Sequence, residues 1–120
     1  MARDYKNIKA WQESKKFILE LYKRTKNFPK EELYGITSQL RRAAVSVATN
    51  VAEGASRQHK RDYLNFLYVA KASLAEAECL TGISQDLGYL SDESFSLLNQ
   101  QLQQTAQTLY GLIKSVESEV

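Results

Sequence analysis

At 120 residues the chain has room for one domain with one proper core, and its single Pro, five scattered Gly and 43% hydrophobic content favour helices over a turn-rich sandwich. No apolar run approaches the ~20 residues that span a bilayer, and the opening MARDYKNIKAW has neither the apolar stretch nor the small-residue cleavage site of a secretory signal. The net charge of +2 hides a polarity, with +6 on residues 1–30, +1 on residues 31–62 and −5 on residues 63–120.

Residues 1–7 read as a polar lead-in. The first helix is predicted over about 8–25, because Trp11, Ser14, Ile18, Leu21, Thr25 and Phe28 step alternately by 3 and 4. Lys9, Lys16 and Lys23 recur along one face, with Glu13 and Glu20 placed for ordinary helix-surface ion pairs. Asn27-Phe28-Pro29 ends this helix. A second is predicted over about 30–53: Pro29 is tolerable at its first turn, Glu31 and Glu32 suit its positive end, and Gly35 can split off a first turn. Its main run carries a seam of Ile36, Leu40, Ala43, Val47, Asn50 and Gly54, with a second row of Val45, Ala48 and Ala52 on another flank. A helix apolar on more than one side needs cover on more than one side. Gly54 is the expected C-terminal stop.

The third helix is predicted over about 59–87, with Tyr63, Phe66, Leu67, Ala70, Leu74, Ala77, Leu80, Ile83 and Leu87 facing inward. Leu64, Val69, Ala72 and Cys79 add apolar surface elsewhere, and Cys79 reads as a small buried side chain. Gly88-Tyr89-Leu90 breaks the helix and Ser91 caps the next. The fourth, about 92–118, has Phe95, Leu98, Leu102, Thr105, Leu109, Leu112 and Val116 along its seam and glutamines outside it. Four helices with short connections give an all-α, up-down-up-down antiparallel four-helix bundle that forms a single domain over residues 1–120.

Chemistry is scarce in this pattern. The only histidine, His59, has Ser56 three residues before it, so the inward Glu-x-x-His pairs of a di-iron bundle are absent, and a zinc centre lacks ligands too. Cys79 cannot form an internal disulfide or a metal-binding cysteine pair, which fits a cytoplasmic, reducing home. A histidine phosphotransfer bundle is the alternative reading for His59, but Asp62 stands where that family has Lys, and an acid there repels a phosphoryl group. Ser46, Asn50 and Glu53 lie on or near the central apolar seam. They either brace helix register or form a small polar site between helices, with Glu76 and Arg42 as candidate partners. Lys16, Lys23, Arg24, Arg41, Arg42, Arg57, Lys60 and Arg61 are the candidates for binding a nucleic-acid backbone. Basic and acidic helices pairing across the fold is the more ordinary explanation of the same charge polarity.

The stretch Gln39-Leu40-Arg41-Arg42-Ala43-Ala44-Val45-Ser46-Val47-Ala48-Thr49-Asn50-Val51-Ala52-Glu53-Gly54 resembles the small four-helix-bundle proteins encoded in intervening sequences of bacterial 23S ribosomal RNA genes. That family includes the accessory variability determinant of diversity-generating retroelements. Trp11, Phe28-Pro29, Glu32, Tyr34, Gly35, Arg57, Phe66-Leu67, the run Ala70 to Glu76 and Leu87-Gly88-Tyr89-Leu90 extend the likeness over nearly the whole chain. Ala72 departs from it, where Gly is expected before Ser73. The resemblance implies a homo-oligomer, a ring of five bundles, with no enzymatic activity, and the want of ligands noted above leaves no cofactor or metal expected. In its accessory branch it also implies nucleic-acid binding beside a reverse transcriptase, and that branch is strongly basic where this chain is +2. The expected partners are therefore further copies of the chain and structured RNA or DNA, and no membrane.

Overall fold

The computed structural model describes residues 4–120. Four helices follow one another, α1 (Lys9–Arg24), α2 (Ile36–Ala55), α3 (Lys60–Asp86) and α4 (Asp92–Glu117), with short 3-10 turns at Tyr5–Asn7 and Lys30–Glu32 and no strand among the described residues. α1 and α3 each pack on both α2 and α4, while the diagonal pairs do not meet among the described residues. This is the antiparallel four-helix bundle, 44 × 24 × 20 Å. Phe17 and Leu21 of α1, Leu40, Val47 and Val51 of α2, Leu67 of α3, and Leu98, Leu102 and Leu109 of α4 fill its centre.

The expected lead-in is partly structured. Residues 1–3 lie outside the described residues, but the Asp4 carboxylate accepts from the Lys6 N–H at 3.1 Å and caps a 3-10 turn. Tyr5 then meets the Trp11 ring edge-on, 5.0 Å between centroids. The connection from α1 to α2 is held by one carboxylate. Glu32 accepts from the Tyr89 hydroxyl at 2.8 Å and, through its other oxygen, from the Ile36 N–H at 3.4 Å, one of the unsatisfied donors of the first turn of α2. Phe28 is buried and its ring lies 5.5 Å from that of Tyr89. The α1–α2 and α3–α4 connections thus close the same end of the bundle together.

Three expectations are corrected. Gly54 does not stop α2, which runs on to Ala55. A Cβ on Gly54 would sit 2.8 Å from Phe66 Cβ and 2.9 Å from Tyr63 Cδ1, so the glycine is there to let α3 come close. The glycine that ends a helix is Gly88, at φ 81°, where the Gly88 N–H reaches the Gln85 carbonyl and the Tyr89 N–H the Ser84 carbonyl, both at 2.9 Å, in a Schellman arrangement. Ile83 and Leu87 do not face inward; Thr81 and Ser84 take their place, each hydroxyl donating back to a carbonyl of its own helix. The buried row Tyr63, Leu67, Ala70, Leu74, Ala77, Thr81 and Ser84 keeps one alternating 4-3 spacing to the end of the helix, and Ile83 and Leu87 lie off that row although they are the apolar residues there. Cys79 is exposed as well, because it lies on the same outer face.

Candidate functional site

The eight candidate basic residues divide among three places. Lys16, Lys23 and Arg24 share a cleft of about 570 Å³ between α1 and α4, walled on the far side by Gln100, Gln101 and Gln104. Two of the three cations are held by their own helix: Lys16 Nζ pairs with Glu13 at 3.1 Å and Arg24 Nε with Glu20 at 2.9 Å. Arg24 also reaches across to the Ser94 hydroxyl at 3.3 Å. Lys23 is exposed and has no ion pair among the described residues.

Under this cleft lies a buried acid whose spacing alone suggests a surface partner of Lys16. Glu13 is only 8% exposed. Gln101 donates its amide to both the Glu13 carboxylate (3.2 Å) and the Glu13 main-chain carbonyl (3.1 Å), so a single side chain from α4 pins α1. The Lys16 hydrogen bond holds the Glu13 carboxyl below the usual carboxylate range; burial pushes the other way, and Gln101 adds to the lowering. A signal for this burial exists in the sequence, since Glu13 stands three residues after Ala10 and four before Phe17, on the buried stripe of α1.

Arg41 and Arg42 lie on a second hollow of about 460 Å³ where α1 meets the start of α2, lined mainly by Tyr22, Leu33, Tyr34 and Val45. Arg41 is fixed, donating to Thr25 Oγ1 at 3.0 Å with its guanidinium 4.5 Å from the centre of the Tyr22 ring. Arg42 is exposed and has no ion pair among the described residues. Tyr34 stands 92% exposed at the rim, and the buried Thr37 hydroxyl has no hydrogen-bond partner among the described residues.

Arg57, Lys60 and Arg61 are at the opposite end of the bundle. Arg57 lies over Phe66 at 4.6 Å, Lys60 pairs with Glu119, and Arg61 is exposed. The length of α2 separates this group from Arg41 and Arg42 by roughly 20 Å or more at 1.5 Å per residue. The eight cations do not share one face.

The polar motif divides as well. Ser46 and Ser73 hydroxyls meet at 2.8 Å across α2 and α3, and the Asn50 amide donates to Ser46 Oγ at 3.0 Å and to the Ser46 carbonyl at 2.8 Å. Ser73 is the partner that spacing alone does not supply. Glu53 and Glu76 are exposed and stand outside this network, and neither Glu76 nor Arg42 bonds to Asn50. His59 is exposed at the N-cap position of α3, where its side chain makes no capping bond. Among the described residues no three His, Cys, Asp or Glu side chains gather as a metal set, and no helix is long and apolar enough to cross a membrane.

The sequence model of the 23S rRNA-intervening sequence protein family matches residues 6–111. Among solved structures, the chain is similar to a Bacteroides thetaiotaomicron protein of unknown function from the S23 ribosomal protein family, with a TM-score of 0.80 and 21% identity over 88% of this chain and 95% of that one. At that identity the likeness speaks for the fold. Comparison with curated proteins gives no match.

Proposed function

The chain belongs to the 23S rRNA-intervening sequence protein family, and from that premise we propose that it is a self-associating scaffold, a homopentamer that carries out no reaction of its own. The observation that carries this reading is apolar surface without cover. Val69, Ile83 and Leu87 of α3 are 50%, 42% and 52% exposed, although the helix they belong to is built with apolar residues on two sides. Large apolar side chains left exposed along one helix face of a small bundle support an association site. The number five comes from the family resemblance. A cytoplasmic home goes with this reading, since Cys79 is a free, exposed thiol of the kind that persists under reducing conditions. Native mass spectrometry at micromolar concentration tests the proposal: five copies of the 13.7 kDa chain are expected, and a single 13.7 kDa species rejects it.

A second reading is favoured by one specific observation, the gathering of Lys16, Lys23 and Arg24 into a single cleft with glutamine donors opposite. Lysine, arginine and amide side chains in a groove suit phosphate and sugar oxygens, which gives structured RNA or DNA a place on the scaffold without reading its sequence. Reversing Lys16 and Lys23 to Glu is expected to weaken RNA binding at least tenfold at low salt. The slope of log affinity against log salt should become shallower by roughly one for each phosphate no longer neutralised. Unchanged affinity and slope reject the cleft as the binding surface.

A further inference from the structure

On α3, Val69, Ala72, Glu76, Cys79 and Ile83 step by 3, 4, 3 and 4, and Leu87 follows at the next turn. That is the spacing of a helix seam, and all six side chains are exposed. The strip runs for roughly 27 Å at 1.5 Å per residue. α3 already has its seams with α2 and α4, through Ser73 and Leu74 among others, so this strip is a further one with no helix against it among the described residues.

A second uncovered apolar surface is the hollow at the α1–α2 corner, with Tyr22, Leu33 and Tyr34 39%, 48% and 92% exposed. It lies on the far side of α2 from the α3 strip, since α2 packs between α1 and α3. The two surfaces are complementary in charge. The strip carries the exposed acid Glu76 near its middle, and the hollow carries exposed Arg42 beside Arg41.

We infer that the α3 strip of one copy seats in the Tyr22–Tyr34 hollow of the next, so that unlike faces join. This rests on the self-association proposed above and names the surfaces that perform it. Charge selects the unlike pairing. A two-fold pairing of strip on strip brings the two central Glu76 carboxylates together, and hollow on hollow brings Arg42 towards Arg42, whereas strip on hollow sets acid against base. A head-to-tail junction between different patches closes into a ring when its rotation divides a full turn.

Cys79 is the chain's only cysteine and lies in the strip, which makes it a reporter. Ser38 lines the hollow. Treated with a short bis-maleimide, Ser38→Cys should give a covalent ladder of two, three and more copies, because each molecule then offers one thiol on each face. The unmodified chain and the Ser38→Cys/Cys79→Ala variant should give none. Tyr34→Asp and Ile83→Asp, both at exposed positions, should each reduce the native mass to 13.7 kDa with helicity retained. Cross-linking of the unmodified chain into dimers through Cys79 overturns the pairing in favour of like faces. Full-size assemblies in both Asp variants, with no ladder from Ser38→Cys, also overturn it while leaving self-association standing. A monomeric unmodified chain removes both.

Discussion

The α2–α3 and α1–α4 seams of this bundle differ in what separates the helices. Between α2 and α3 stand small groups: Gly54 against Phe66 and Tyr63, Ser46 on Ser73, and Ala43, Ala70 and Ala77 buried nearby. The backbones come close there and their register is held by hydroxyl and amide bonds. Between α1 and α4 stand long side chains, with Gln101 reaching Glu13 and Arg24 reaching Ser94 across the gap. What lines the open space is then what long side chains carry at their ends, charges and amides. Close packing yields a stiff platform, and looser packing yields a cleft with chemistry in it.

The difference can be broken most sharply at glycine. Gly54→Ala puts a Cβ within 3 Å of two aromatic side-chain atoms, and is expected to destabilise the fold by about 1–3 kcal/mol in urea unfolding. Gly82→Ala is its control, because a Cβ there meets nothing within 4 Å; it should raise stability by up to about 1 kcal/mol through helix propensity alone. Effects of the same sign at both sites contradict the tight seam.

Across the wider seam, Glu13→Ala leaves the Gln101 amide without its carboxylate and is expected to cost about 1–3 kcal/mol. Its pH dependence has a definite sign. Since the folded state holds the Glu13 carboxyl below its usual range, the stabilisation is whole above the unfolded value and is lost as pH falls through the lowered one. Glu13→Gln should flatten that part of the acid limb of a Tm-against-pH curve; an unchanged limb means that the Lys16 bond contributes nothing.

The smallest effect is expected where the connections meet. The Glu32 carboxylate raises the Tyr89 phenol above its usual value by accepting its proton in a hydrogen bond. The stabilisation is therefore whole below the unfolded phenol value and lost as pH rises through the raised one. Tyr89→Phe should lower Tm slightly at neutral pH, and the gap to the unmodified chain should close in alkali. A gap that persists there assigns the loss to packing against Phe28 instead.

Periodicity made the bundle legible, because each helix buries one stripe and the stripes repeat in the sequence. It placed Leu98, Leu102 and Leu109 correctly in the core. It failed at Ile83, Leu87 and Cys79, because apolar side chains there stand on an outward row of α3 while the polar Thr81 and Ser84 continue the inward one. Gly54 was misread because a glycine that ends a helix and one that admits a neighbour look alike until the neighbour is seen. The cleft was half legible: the spacing of Lys16 and Lys23 put them on one face, but nothing local says that Gln100 and Gln104 stand opposite. The Ser46–Ser73 bond joins residues far apart in sequence, and only tertiary register brings them together.

Sedimentation velocity of the unmodified chain over a wide dilution series tests the central claim, self-association through unlike faces, most directly. A ring that closes through unlike faces predicts one species of constant size, five copies of the 13.7 kDa chain and not two, down to the concentration at which it dissociates. A 13.7 kDa species at every concentration contradicts the account.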